Sequence, residues 1–431
     1  MILQAGKRIY RASFCIMATG PLSASYGPTF EGMDEFQGRI LHSADWPREG
    51  VDISGKRVGV VGTGSTGIQL VPVLAEECQH LTVFQRTANY SVPARNHPLT
   101  PDDMAAVRKN YPERRAQARS SRSGFPPRTP DISSKGALEV TPEQRREVYE
   151  LMWEQGGGLA FRAAFSDLLV NRDSNETAAE FIREKIREKV KDPEVAEILT
   201  PRDHPYAAKR PPVDTDYYET FNRDDVTLVD LRSDPIKRLT ATGIKTQASH
   251  HDLDILILAT GFDAVTGALS RMDIRGLGGR SLAHAWVAGP KTHLGMTVNG
   301  FPNLFLVNGP GSTAAFTNMA THTEQNVEWI AGLVEHVRSV GARRVEPTLS
   351  AQGAWVELVR EVGDATLYPE ANSWYLGANI PGKPRSFMFY AGGFDTYSQE
   401  CARVAQAGYQ GLDISSSDAR SRHIAAGESA E

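Results

Sequence analysis

Apolar positions along the chain change period several times, and each change marks an element. Arg57 to Val61 alternates and is rich in valine, which predicts a strand, whereas Ile68 to Glu77 carries Ile68, Val71, Leu74 and Ala75 at helical spacing. A second strand is expected at Leu81 to Phe84, and further strands at Ser13 to Met17, Val226 to Val229, Ile255 to Leu258 and Asn303 to Val307. The last leads through Gly309-Pro310-Gly311-Ser312 into a helix spanning Glu324 to Val334. From about Asn96 to Pro205 the pattern is polar and helical, with an Arg-, Ser- and Pro-rich loop around Ser120 to Pro130. There Thr141-Pro142-Glu143-Gln144 has the form of a capping box with proline at the first helical position, and Gly156-Gly157-Gly158 ends the helix. Phe181, Ile182, Ile186 and Val190 form one apolar stripe, with Arg183, Glu184, Arg187 and Glu188 expected to face solvent. No tandem repeat is present, and the Ser-rich tail after Leu412 is expected to be disordered.

The turn between the first strand and helix reads Gly62-Thr63-Gly64-Ser65-Thr66-Gly67. A glycine triplet alone asks only for a tight turn, but strand, glycine turn and helix arrive here in order. A helix N-terminus presents unpaired N–H groups and a positive dipole end, and residues without a Cβ let a pyrophosphate approach them. The reading is a dinucleotide site with Gln69 beside it. The next strand ends at Gln85-Arg86-Thr87, and Arg86 lies 19 residues after Gly67, where an NAD site places an acidic residue on the ribose 2′-hydroxyl. A guanidinium there suits a 2′-phosphate, because its planar fork binds phosphate bidentately, so NADP is expected rather than NAD. The competing reading is a strand end capped in solvent.

At 431 residues the chain is long enough for two or three domains with full cores. With 47 Lys and Arg against 52 Asp and Glu, the net charge of −5 is spread without long blocks of one sign, and no nucleic-acid partner is expected. Cys15, Cys78 and Cys401 show no metal spacing, and their odd number argues against a disulfide framework and for a reducing cytoplasm. No run approaches the length of a membrane span, and Lys7, Arg8 and Arg11 interrupt the opening, so neither membrane nor signal peptide is expected.

Phe36, Gly38, His42, Trp46 and Pro47 stand at F-x-G-x-x-x-H-x-x-x-W-P spacing just before the glycine turn. This pattern resembles the fingerprint of Baeyer–Villiger flavin monooxygenases. The similarity becomes close at Lys209-Arg210 within Tyr206 to Tyr218. It extends through Phe221-Asn222-Arg223-Asp224, Asp192-Pro193-Glu194-Val195, Leu258-Ala259-Thr260-Gly261-Phe262-Asp263, Ser373-Trp374-Tyr375, Gly377-Ala378-Asn379 and Pro381-Gly382-Lys383-Pro384. It covers nearly the whole chain except the tail and is of the phenylacetone and cyclohexanone monooxygenase kind.

The resemblance implies an α/β flavoprotein with two Rossmann-like dinucleotide-binding domains and a helical insertion. Residues 1–28 and 260–412 are then parts of one FAD domain, and 29–54 a linker carrying the fingerprint. Residues 55–96 and 206–259 form a split NADP-binding domain, 97–205 the insertion and 413–431 a disordered tail. Strand followed by Ala-Thr-Gly occurs twice, at Ala18-Thr19-Gly20 and Ala259-Thr260-Gly261. In the family a complete FAD-binding βαβ unit precedes the first copy, and this sequence has none. A strand that close to Met1, with no local partner strands before Phe36, needs neighbours supplied from elsewhere. Met1 is therefore read as an internal methionine of a longer chain, the alternatives being a natural fragment or a two-chain arrangement.

The activity implied is NADPH- and O2-dependent insertion of oxygen beside a ketone carbonyl, through a C4a-peroxyflavin, to give an ester or lactone. Arg210 would stabilise the peroxy anion and developing oxyanion. Lys209 would join Arg86 at the NADP 2′-phosphate with Thr87 among the cofactor-binding residues, Trp374 would sit near retained NADP, and Met319 would place backbone near the flavin ring. Trp374 as a core aromatic, Met319 as simple packing and Lys209-Arg210 as an exposed turn before Pro211-Pro212 are the competing readings. His42 has no acid or base partner beside it in sequence and is read as a hydrogen-bonding, conformational residue. Two other functions stay open: a non-catalytic NADP-binding remnant and an N- or S-oxygenating flavin monooxygenase, the latter disfavoured by Trp46-Pro47 together with Arg210. No motif sets the ketone or the oligomeric state.

Overall fold

A computed structural model describes residues 1–126 and 134–416. Its largest sheet has five parallel strands in the order Arg39–His42, Ile255–Leu258, Arg57–Val61, His80–Gln85, Val226–Asp230. Parallel sheets are covered on both faces, so their strands read as nearly continuous apolar runs. Side chains alternate across them. Val58, Val60, Leu81, Val83, Ile255 and Ile257 join the core shared with the Ser65–Glu77 helix. Val61, Phe84, Leu256 and Leu258 join a second core under Phe36, Leu239 and Ile244. The latter two come from an antiparallel meander, Ile236–Thr240, Gly243–Thr246 and His250–Asp252. The helix buries Ile68, Val71 and Leu74, each worth about 1.5–3 kcal/mol of transfer free energy.

Between the third and fourth strands of this sheet in chain order run the helices Pro101–Lys109, Tyr111–Ser120, Pro142–Gln155, Arg172–Lys189 and Pro193–Leu199. Thr141 closes its capping box with Gln144, and Gly156 ends the helix at φ 72°. Tyr149, Trp153, Phe161 and Phe181 form an aromatic cluster continuous with the main core, Tyr149 stacking on Phe161 at 5.5 Å. Arg183 departs from the expected solvent-facing row and is buried. Its guanidinium donates to Tyr90 Oη and the Pro201 carbonyl, both at 2.9 Å, and reaches Glu176. Burial is tolerable because each guanidinium nitrogen finds an acceptor. The expected loop at Ser120 begins one residue later, since the preceding helix includes Ser120, and its 127–133 part lies outside the described residues.

The remaining segments gather around the strand pair Cys15–Met17 and Leu304–Leu306, which is parallel. The early strand thus finds its neighbour far along the chain, and Asn303 Nδ2 fastens the junction by donating to the Ser13 carbonyl at 2.8 Å. The helices Met319–Ser339, Leu349–Asp364 and Phe394–Gln406 pack beside it around Trp329, Trp355 and Tyr397. Two boundaries differ from expectation. Residues 39–42, placed in the linker, are an edge strand of the five-stranded sheet, because their backbone pairs with Ile255–Leu258. The tail expected from 413 onward opens instead as the strand Leu412–Ser415, antiparallel to Arg344–Pro347, which supplies hydrogen bonds no local pattern announces. Residues 417–431 lie outside the described residues. Among the described residues no helix is long and apolar enough to cross a membrane.

Candidate active site

The glycine turn leaves its strand at Gly62, whose N–H donates to the Phe84 carbonyl at 3.2 Å. Gly62 has φ 113°, and a Cβ there would lie 2.5 Å from the Ala259 carbonyl oxygen. A Cβ on Gly67 would lie 2.0 Å from the Gly62 carbonyl oxygen, so these two glycines let helix, turn and sheet close on one another. Gly64 differs. It is the helix N-cap, offers no side-chain cap, and a Cβ on it would meet nothing within 4 Å. The first-turn N–H groups of Ser65, Thr66 and Gly67 therefore face open space with a positive dipole end, the geometry an anion requires. Thr63 Oγ1 donates to the Thr87 carbonyl at 2.9 Å and ties the turn to the end of the next strand.

That strand end is cationic. Arg86 is exposed, and Lys209 is half-buried with Nζ 3.9 Å from Asp203 Oδ2. Burial lowers the Lys209 pKa; Asp203 opposes this, while Arg86 and Arg232 push the same way, which places all four charges in one neighbourhood. Gln85, Arg86, Ala88, Arg202 and Arg232 line a cleft of about 260 Å³ there. The glycine turn, Arg86 and Lys209 meet the requirements of a 2′-phosphorylated dinucleotide: open N–H groups for one phosphate and cationic side chains for another.

Lys209 and Arg210 are adjacent but serve different parts of the molecule. Arg210 Nη1 donates to the Ala315 carbonyl at 2.8 Å, across 105 residues. Ala315 belongs to the short turn Ala314–Phe316 just before Met319, which is partly exposed at the first position of its helix. Asn318 caps that helix by accepting from the Ala320 N–H at 3.1 Å. Close by in sequence, Asn308 Oδ1, Ser312 Oγ and Thr317 Oγ1 are buried polar atoms without a protein partner. Buried polar atoms are normally satisfied, so this turn suits a polar ligand group, and a flavin ring edge fits that need. Trp374 is half-buried, its ring against Tyr375 at 4.6 Å and Phe389 at 5.4 Å. Arg162, which no motif singled out, donates to Tyr368 Oη at 3.2 Å beside the same aromatic cluster.

The fingerprint residues act at the hinge between these regions. Phe36 is buried and folds over Gly38, where a Cβ would lie 2.4 Å from the ring and 2.5 Å from the Asp254 carbonyl oxygen. Trp46 packs on the main core, and the Pro47 carbonyl accepts from Gly50 N–H at 3.1 Å. His42 Nδ1 accepts from the Ala44 N–H at 3.1 Å, which leaves Nε2 as the protonated nitrogen 3.2 Å from the Tyr26 carbonyl. Thr260 Oγ1 donates to that same carbonyl at 2.7 Å. Both bonds on His42 are structural. Gln69 is exposed and faces a separate cleft of about 540 Å³ with Pro72, Glu76 and Thr220. Asp203 and Arg232 escaped sequence reading because their relevance comes from contact with Lys209 and Arg86, and no fixed spacing announces it. No cluster of potential metal ligands occurs among the described residues.

No family profile matches the chain. A Baeyer–Villiger monooxygenase from Pseudooceanicola batsensis is 44% identical over 416 residues, covering 96% of this chain and 74% of that protein. The solved structure of an oxidised steroid monooxygenase bound to NADP is 49% identical, superposes with a TM-score of 0.88, and is matched over 94% of this chain and 75% of its own. A structure described as OTEMO in complex with FAD and NADP is 40% identical with a TM-score of 0.90, over 95% of this chain and 76% of its own. With similarity of this extent joined to the glycine turn, the hinge and the Lys209-Arg210 pair, the chain belongs to the Baeyer–Villiger monooxygenase family.

Proposed function

We propose that this chain serves NADPH- and O2-dependent conversion of a small ketone to an ester or lactone, with Arg210 as the catalytic residue. The observation that carries the reading is the Arg210–Ala315 hydrogen bond, which fixes a guanidinium between the nucleotide sheet and the turn whose buried polar atoms lack partners. When bound, NADPH and FAD supply the reducing equivalents and the oxygen-transfer chemistry. Gly62 to Gly67, Arg86, Thr87 and Lys209 would hold NADP, with Trp374 beside it, and the Met319 backbone would help hold FAD.

The protein's own part is charge placement and exclusion of water. Arg210 offers a planar cationic fork of N–H donors, which can stabilise negative charge on the transferring oxygen. Its neighbours Tyr368 and Tyr375 are buried, and Phe316 stacks on Tyr368 at 4.7 Å. That aromatic wall flanks the Arg210 and Arg162 guanidinium groups on one side. His42 holds the hinge and moves no proton. The cysteines, all unpaired, agree with a reducing cytoplasm as the working compartment.

The test is to supply the chain with FAD, NADPH, ¹⁸O2 and a panel of cyclic and open-chain ketones, and to analyse the products by mass spectrometry. One ¹⁸O atom in the ester, with the second appearing in water, is the expected result. NADPH consumption that yields only peroxide with every ketone would overturn the assignment.

A further inference from the structure

Asp203 organises a charge cluster that the glycine turn does not require. Its Oδ1 lies 2.6 Å from His204 Nδ1, while Oδ2 lies 3.2 Å from Arg232 Nη2 and 3.9 Å from Lys209 Nζ. Arg232 makes a second anchoring bond, from Nε to the Arg86 backbone carbonyl at 2.9 Å. The side chain just past the Val226–Asp230 strand is thus fastened to the very residue that ends the neighbouring strand. The other charged groups lining the cleft are already engaged. Glu197 takes Arg187 and Arg202, at 3.1 and 2.6 Å, and Asp230 accepts from the Arg232 N–H and Ser233 Oγ. Lys209 and Arg232 therefore share Asp203 while the Arg86 side chain beside them has no carboxylate of its own among the described residues, and the cluster keeps an excess of positive charge.

Burial works against ionisation of Asp203, but His204, Lys209 and Arg232 more than offset it and hold its carboxyl down at about 2. The carboxylate is permanently charged and acts as a fixed anchor. An isolated exposed ion pair between Asp203 and Arg232 would contribute little and would need no function. The bond to the Arg86 carbonyl is what a mere surface pair does not explain, because it sets Arg232 in register with the phosphate-reading position.

We propose that Arg232 is a specificity-determining residue, the third cationic arm that recognises the 2′-phosphate of NADP. This rests on the assignment of Arg86 and Lys209 to that phosphate. The probe is adenosine 2′,5′-bisphosphate against 5′-AMP, titrated calorimetrically into the full chain. Arg232→Ala weakens the bisphosphate roughly 10- to 100-fold, the scale of a charge-assisted hydrogen bond, and leaves 5′-AMP within about twofold. Arg232→Lys recovers part of the loss, since it restores the charge without the fork. An unchanged ratio of the two affinities in Arg232→Ala overturns the inference, whether both ligands weaken together or neither does. Arg86→Ala, measured alongside, separates the two levels. Preference lost with Arg86→Ala but kept with Arg232→Ala sinks the Arg232 role alone, whereas a wild-type chain with no bisphosphate preference sinks the parent assignment with it.

Discussion

Two glycine turns in this molecule follow strands and precede helices, yet they are built on opposite principles. The turn at Gly62–Gly67 leaves the central strand of a five-stranded parallel sheet at its carboxyl end, and its strand, turn and helix are contiguous in the chain. Its polar groups are backbone N–H groups left open to solvent. The turn at Gly309–Ser312 follows a strand that pairs with Cys15–Met17 and makes a single bridge to Thr297, and around it lie the unpartnered buried atoms of Asn308, Ser312 and Thr317. The first offers open backbone donors and is built from neighbouring residues; the second has buried polar atoms that lack a protein partner and suit a ligand seated on them. Lys209 and Arg210 divide between the two, one reaching Asp203 and the other Ala315.

The largest expected effect breaks the link on the second side. Arg210→Ala is expected to lower ester formation roughly 100- to 1000-fold, the scale of a lost charge-stabilising donor, while NADP binding stays intact. Product yield by gas chromatography, set beside nucleotide titration, checks this; unchanged yield would remove Arg210 from the chemistry. On the first side, Arg86→Ala is expected to weaken NADPH about 10- to 100-fold and NADH far less. Equal losses for both nucleotides would contradict the 2′-phosphate role.

The glycines sharpen the same contrast. Gly64→Ala is expected to leave thermal stability nearly unchanged, because its Cβ meets open space at φ −81°, yet to weaken nucleotide binding by occupying the phosphate's approach. Gly67→Ala drives a Cβ against the Gly62 carbonyl and is expected to destabilise the fold by about 1–3 kcal/mol. Thermal melts with and without NADP separate the two, and identical melting losses for both variants would show that Gly64 is also a packing glycine.

A smaller effect distinguishes the second side by pH. His322 is fully buried between Thr313 and Asn326, and burial holds its pKa down at about 3. Its Nε2 accepts from Asn326 Nδ2, and Asn326 in turn accepts from Tyr397 Oη, so protonation would set two donors against each other. A histidine held neutral in the fold and free to charge in the unfolded chain contributes stability that is fully present above pH 6.5 and is lost as pH falls toward 3. By pH 4.5 the loss from this residue is about 2–3 kcal/mol. Hydrogen exchange should show Leu304–Ser339 opening before Arg57–Gln85, and His322→Gln should flatten the dependence. Matching pH slopes in the variant and the wild type between 6.5 and 4.5 would refute this account.

Elements made of near neighbours were legible from the residues alone. Arg57–Val61 and Ile255–Leu258 appear at the expected residues, and the Thr141 box caps its helix as its spacing requires. The physical reason is short range: a strand's alternation, a helix's stripe and a cap each depend on residues within about four positions. Glycine patterning likewise announced a dinucleotide turn, because Gly62 and Gly67 answer to steric limits within the same few residues. Tertiary structure decided what depends on the path of the chain. Arg183 looked like part of a solvated row until Tyr90 and the Pro201 carbonyl closed over it. Leu412–Ser415 looked like a tail until Arg344–Pro347 supplied its ladder. The charge cluster of Arg86, Lys209, Asp203 and Arg232 draws on three separated segments, and a contact of that kind leaves no period in the sequence, since its energy depends on distances fixed only once the sheet and insertion have packed.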